Sequence, residues 1–262
     1  MFIKLLLLCV FFAIMIGIGL YCRRHATDVN GFVLGGRSVG PWLTAFAYGT
    51  SYFSAVIFIG YAGQFGWKFG IASTWIGIGN AIIGSMLAWV VLGRRTRIMT
   101  QHLDSATMPE FFGARFNSRA LKIGASVIIF IFLIPYTASL YNGLSRLFGM
   151  AFNIDYTVCI IIMAVLTGIY VIAGGYMATA INDFIQGIVM LFGIVAVIAA
   201  VLSSKGGFLA ALDGLARVED PAASTTPGVF ASFFGPDPLG LLGVVILTSL
   251  GTWGLPQMVQ KF

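Results

Sequence analysis

Gly49-Thr50-Ser51-Tyr52-Phe53-Ser54 stands inside an apolar run, residues 42–62, that is otherwise long enough to cross a bilayer. In hydrocarbon an unpaired backbone amide or carbonyl costs several kcal/mol, so a weakened helix at membrane depth persists only where it lines a site. Near the other end, Thr248-Ser249-Leu250-Gly251-Thr252-Trp253-Gly254-Leu255-Pro256 interrupts a second apolar run in the same way. A pair of interrupted segments, one in each half of an inverted repeat, is the sequence signature of a secondary transporter's binding site.

The composition around these two stretches fits a membrane protein. Hydrophobic residues make up 59% of the 262, and charged residues only 9%, against about 25% charged in soluble domains. Seven hydrophobic segments follow, at 5–22, 42–62, 71–93, 123–141, 158–173, 184–202 and 239–256. They are too long for strands and lack period-two alternation. The first is read as a span rather than a cleaved leader, because no small-residue cleavage site precedes Arg23-Arg24. Nine of the fifteen basic residues lie in the loops after the first and third segments, from Arg23 to Lys122. The positive-inside rule makes those loops cytoplasmic and puts the N-terminus outside a multi-pass protein of the plasma membrane.

The net charge of +6 therefore reflects topology. No basic-aromatic groove pattern or zinc-finger spacing suggests a nucleic-acid partner. Cys9, Cys22 and Cys159 have no metal-ligand spacing, and Cys9 and Cys159 fall inside apolar runs with Cys22 at the end of one, which argues against a disulfide framework. His-Glu-x-x-His, phosphate-loop and Cys-x-x-Cys motifs are missing, so neither an enzyme nor an organic cofactor is expected.

Two loops carry structure of their own. Thr107-Met108-Pro109-Glu110 has the form of a capping box that opens a short cytoplasmic helix. Phe208, Leu209, Leu212 and Leu215 recur at helical spacing beside Asp213 and Arg217, predicting an amphipathic helix on the outer face. Gly77, Ala81, Gly84 and Ala88 form a small-residue stripe, read as a helix-packing feature.

Several polar residues could carry chemistry. Thr50, Ser51 and Ser54 offer hydroxyls, and an unwound turn at Gly49 would free carbonyls; neutral oxygens of this kind suit a hard cation such as sodium. The alternative is that these hydroxyls bond back to the preceding helical turn. Asp183, beside Asn182 and on one helical face with Gln186, is the only acidic residue at the edge of a span core. It is either an ion-pathway carboxylate or an N-cap of the sixth span. Tyr136 follows the helix-kinking Pro135 and could face a cavity, or it could pack or belong to the interfacial belt. Trp253 sits where an aromatic ring could stack on a solute.

These motifs, taken in order, resemble the sodium:solute symporter family. They are Leu34-Gly35-Gly36-Arg37-Ser38-Val39-Gly40-Pro41, Met108-Pro109-Glu110-Phe111-Phe112 with Arg115-Phe116, Gly174-Gly175, Asn182-Asp183-x-x-Gln186-Gly187 and Gly254-Leu255-Pro256. The resemblance implies an all-α membrane protein with the leucine-transporter-type five-plus-five inverted repeat, preceded by one extra helix. Residues 5–22 would be that extra helix, 42–202 the first repeat, 203–238 an extracellular loop, and 239–262 the start of the second repeat. The chain, 1–262, would then be the N-terminal part of one transporter domain, truncated after the first repeat and inactive alone.

By the same resemblance the partners are sodium, a small organic solute and the lipid bilayer. Thr50 and Phe53 match residues that give backbone carbonyls to the principal sodium site, and Ser54 adds a hydroxyl. Asp183 matches an acidic residue linked to a further sodium site and to ion release. Tyr136 matches a solute-contacting tyrosine, and Thr252 and Trp253 match another wall of that pocket. Ser51, Tyr52 and Thr248, on the two interruptions, complete the candidate solute contacts. Tyr52 departs from the proline transporters, which have an aspartate there; the local pattern looks more like the pantothenate branch. A rival expectation is a transporter-like sensor domain attached to a signalling module.

Overall fold

The computed structural model describes residues 2–23, 29–35, 39–52, 61–219, 226–259 and 261. All regular structure among the described residues is helical. In chain order the helices are α1 (Phe2–Cys22), α2 (Val29–Leu34), α3 (Pro41–Tyr52) and α4 (Ala62–Phe69), then a 3-10 turn, Gly70–Ser73, and α5 (Thr74–Gly79). Two π-helical stretches, Asn80–Leu87 and Trp89–Gly93, lead into α6 (Arg94–His102). Next come α7 (Met108–Arg115), α8 (Arg119–Phe152), α9 (Tyr156–Ser204) and α10 (Phe208–Ala216). A 3-10 turn at Val229–Ala231 precedes α11 (Pro238–Gly251), a further 3-10 turn at Thr252–Gly254, and α12 (Pro256–Val259).

Among the described residues, three continuous helical segments are long and apolar enough to cross a membrane: Ala62–His102, Arg119–Phe152 and Tyr156–Ser204. Leu6–Cys22 and Pro238–Gly254 are shorter apolar helices. Phe130, Phe132, Ile172 and Phe192 on the long helices are more than two-thirds exposed. Helices this apolar on their outer faces are stable when hydrocarbon is the solvent.

The chain divides into two compact units, one of residues 1–59, 98–188 and Lys261, the other of 60–97, 189–260 and 262. In the first, α1 lies against α9, with the Gln186 amide donating to Met15 Sδ at 3.4 Å. The capping box forms as expected: Thr107 Oγ1 accepts from Glu110 N, and the Glu110 carboxylate accepts from Ala106 N at 3.1 Å. Lys122 on α8 stands 3.6 Å from Glu110, fixing α7 to the start of α8.

The fifth and sixth expected spans appear as one run, α9, bent at Gly175 (φ 56°, ψ −150°). That conformation favours glycine, and a Cβ there would meet the Phe32 carbonyl oxygen at 2.8 Å. The bend overturns the N-cap alternative for Asp183, because the second limb of α9 begins just after Gly175. Asp183 is thus two turns inside a helix.

The second unit is built on Phe69, Ala72 and Leu241, with Phe65, Trp75, Ile76, Val244 and Val245 packed around them. Trp75 Nε1 donates to the Phe233 carbonyl at 3.0 Å. Pro238 opens α11 behind an Asp237 cap, whose carboxylate accepts from Gly240 N at 2.9 Å. The small-residue stripe is not a single face: Gly84 and Ala88 are buried, whereas Gly77 and Ala81 are exposed. The reason is the π-helical stretch, whose wider turn shifts the register on which the stripe depended. The amphipathic helix appears as α10, with Arg217 bonded to Asp213 at 2.6 Å.

Candidate ion and solute site

The decisive stretch lies at the end of α3. Gly49, Thr50, Ser51 and Tyr52 are all helical, so the expected unwinding at Gly49 does not occur. Thr50 Oγ1 donates back to the Phe46 carbonyl at 2.8 Å, with the Ala47 carbonyl at 3.3 Å. The hydroxyl thus finds its partner within the preceding turn of its own helix. Phe53 and Ser54 lie outside the described residues.

Asp183 meets this stretch because α9 comes close to α3 at Gly187. A Cβ on Gly187 would lie 2.6 Å from Phe46 Cδ1 and 3.1 Å from Thr50 Cγ2. Phe46 in turn stacks edge-on against Phe184, with ring centroids 4.8 Å apart. Glycine one turn beyond Asp183 is therefore what lets the carboxylate reach α3. The carboxylate faces the Thr50 side chain and accepts from Lys261 Nζ at 3.2 Å. Lys261 Nζ also donates to the Ala47 carbonyl and to Ser51 Oγ, each at 2.5 Å. Only 9% of the Lys261 side chain and 23% of that of Asp183 are exposed.

Beside Asp183, the amide of Asn182 is 1% exposed and neither of its polar atoms has a hydrogen-bond partner among the described residues. Tyr52 is buried, its ring 6.0 Å from that of Tyr48. Tyr136 is half-buried within α8, just past Pro135, and its carbonyl accepts from Ser139 Oγ at 2.7 Å.

In the second unit the late interruption is visible. α11 ends at Gly251, a 3-10 turn spans Thr252–Gly254, and Pro256 starts a new helix. Thr248 Oγ1 donates to the Val244 carbonyl and accepts from Asn80 Nδ2 at 2.9 Å. Thr252 Oγ1 donates to the Ser249 carbonyl at 2.9 Å. Trp253 Nε1 donates at 2.9 Å to the carbonyl of Ile83, in the first π-helical stretch. The indole expected to stack on a solute is thus held by its own N–H, which fixes the ring plane.

The order of these features along the chain is that of a known family, whose profile, described as "Sodium:solute symporter family", matches residues 32–262. The chain belongs to the sodium:solute symporter family. A protein named sodium/proline symporter from Staphylococcus aureus strain JH9 is 34% identical over 264 residues, covering 98% of this chain and 49% of the relative. The proteins of that name from strains JH1 and NCTC 8325 match to the same extent. This symporter-family chain spans about half the length of the curated relatives it matches. Membership places it among membrane transporters rather than enzymes.

Within this symporter-family chain, the first unit brings Thr50, Ser51 and Asp183 together, and the second brings Thr248 and Asn80 together and ties Trp253 to Ile83. Sequence reasoning missed Lys261 and Asn80. Lys261 carried a usable signal, since an ionisable residue at membrane depth calls for an opposite charge and Asp183 was the only acid at a span core. Asn80 carried a weaker one: it stands inside the apolar run 71–93, where a polar amide calls for a partner on a neighbouring helix.

Proposed function

We propose that the chain is part of a sodium-coupled symporter that carries a small organic solute across the plasma membrane by alternating access, with its N-terminus outside. The observation that supports this best is the oxygen cluster of Ala47, Ser51 and Asp183, partly buried in a family member at a segment expected to bind ions. On this reading sodium takes oxygens from Thr50, Phe53 and Ser54, and Asp183 assists ion release. Ser51, Tyr52 and Tyr136 in the first unit, and Thr248, Thr252 and Trp253 in the second, are the proposed solute contacts. Tyr136, Thr252 and Trp253 are carried by the family resemblance, and Ser51, Tyr52 and Thr248 by their places on the two interruptions.

The five-plus-five inverted repeat, with 5–22 as the extra helix and 42–202 as the first repeat, belongs to the same proposal. Coupling is reciprocal: if sodium tightens solute binding, the solute tightens sodium binding by the same factor. Proline is the first solute to test, given the name of the S. aureus relatives. Tyr52, standing where proline transporters resemble one another in an aspartate, makes pantothenate and other small acids the next.

The test is uptake of a labelled solute panel into vesicles holding the protein expressed from its own reading frame, under an inward sodium gradient. At least one solute should accumulate with sodium and not with choline. Equal uptake driven by a proton gradient in sodium-free buffer would overturn the choice of ion.

A further inference from the structure

Lysine near an apolar segment ordinarily runs its stem along the surface and leaves its ammonium in water. Lys261 does the opposite. Its ammonium points inward, and each of its three N–H groups has an oxygen: the Ala47 carbonyl at 2.5 Å, Ser51 Oγ at 2.5 Å and Asp183 Oδ2 at 3.2 Å. An ammonium has three donors and no acceptor, so this set satisfies it completely. The acceptors around it are a helix carbonyl, a hydroxyl and a carboxylate. That is an all-oxygen set with one negative charge, the chemistry a hard monovalent cation also selects.

Two positive charges cannot share so small a set. At a few ångströms, and with the dielectric well below that of water, their repulsion is several kcal/mol. Whichever cation is present excludes the other. Ser51 and Ala47 lie one turn apart on α3, so the carbonyl and hydroxyl project from one face, and the close approach at Gly187 brings Asp183 opposite them.

We propose that Lys261 is a tethered cation that holds the Ala47–Ser51–Asp183 oxygens in place of sodium, so that sodium gains Asp183 only by displacing it. This rests on the sodium-symport reading and adds to it the competitor that sets access to Asp183. Occupancy translates directly into apparent affinity, because a site competent for a fraction f of the time binds with its intrinsic Kd divided by f. A lysine seated nine-tenths of the time weakens sodium binding about tenfold.

Two measurements test the proposal on the protein expressed from its own reading frame, in nanodiscs, with sodium chloride exchanged for choline chloride at constant ionic strength. The first needs no substitution: the rate at which acetic anhydride modifies Lys261 is followed by mass spectrometry. Sodium should speed modification of Lys261 several-fold, and choline should not. An unchanged rate at sodium concentrations that saturate thermal stabilisation would overturn the proposal. The second compares the sodium concentration for half-maximal thermal stabilisation. Lys261→Gln should lower it about tenfold, and adding Asp183→Asn should abolish that gain. A half-maximal concentration that is unchanged or raised in Lys261→Gln refutes the competition. If the unsubstituted protein shows no sodium response by either readout, the symport reading itself fails and the proposal falls with it. A wild-type response without the Lys261→Gln shift removes only the tethered cation.

Discussion

Replacing Gly187 by alanine probes the contact that brings Asp183 to α3. The new methyl would stand 2.6 Å from Phe46 Cδ1 and 3.1 Å from Thr50 Cγ2, whereas carbon atoms pack best at about 3.5–4.0 Å. Roughly 1 Å of separation must be found. The ring cannot supply it by swinging aside, because it is pinned edge-on by Phe184 at 4.8 Å. The backbone of α9 has to retreat instead, an overpacking penalty of about 1–3 kcal/mol. For a chain of this length that is a fall in Tm of about 2–4 °C per kcal/mol.

Gly193 provides the matched control, six residues further along α9, where a Cβ meets nothing within 4 Å. There alanine removes glycine's entropic penalty and should stabilise by about 0.5–1 kcal/mol. Thermal unfolding of the two variants in detergent, followed by tryptophan fluorescence, should therefore move in opposite directions. Gly187→Ala should also weaken the sodium response, since the retreat separates Asp183 from Ser51. If Gly187→Ala is as stable as the unsubstituted chain and responds equally to sodium, close packing of α9 on α3 does not position the site.

Three further outcomes are expected. Asp183→Ala strips the partner from an ammonium that is largely out of solvent, a change that costs about 3–5 kcal/mol for a fully buried pair and less here. Sodium-stimulated uptake per folded molecule should fall strongly, and unchanged sodium dependence would remove Asp183 from the mechanism. Trp253→Phe loses the bond to the Ile83 carbonyl and should lower stability by about 1 kcal/mol, with solute KM rising more than the half-saturating sodium concentration. A larger shift in sodium than in solute dependence would contradict Trp253's place among the solute contacts. At Glu110, burial alone raises the carboxyl pKa, but the Ala106 N–H, Lys122 and Thr107 outweigh it and hold it below its ordinary value of 4.5. A lowered folded pKa gives stability that is full above the ordinary value and is lost as pH falls through the folded one. The stability gap between Glu110→Gln and the unsubstituted chain should thus close on acidification below about pH 4.5, and a gap that persists there would contradict the assignment.

Much of the fold was legible because its signals are local. The capping box at Thr107–Glu110 and the amphipathic pattern from Phe208 each depend on residues within one or two turns, and both helices form where the pattern puts them. The second interruption was readable for the same reason, since Gly251, Gly254 and Pro256 weaken or end a helix wherever they stand. The first was misread in detail. Gly49 alone does not unwind α3, whose helix runs on to Tyr52 with α9 packed on that turn at Gly187. The small-residue stripe failed because periodicity presumes 3.6 residues per turn, and the π-helical stretch at Asn80–Leu87 does not keep it. Lys261 was missed for a different reason, although the need for an opposite charge at membrane depth pointed to Asp183. Its partner lies 78 positions away along the chain, and no local pattern encodes a pairing at that distance.

The central claim is sodium coupling, and sodium-gradient uptake tests it most directly. Vesicles carrying the protein expressed from its own reading frame should accumulate proline or another member of a small-solute panel when sodium is higher outside. Accumulation should collapse when a sodium ionophore dissipates the gradient. Uptake that is insensitive to the ionophore, and equal in choline and in sodium, would contradict it.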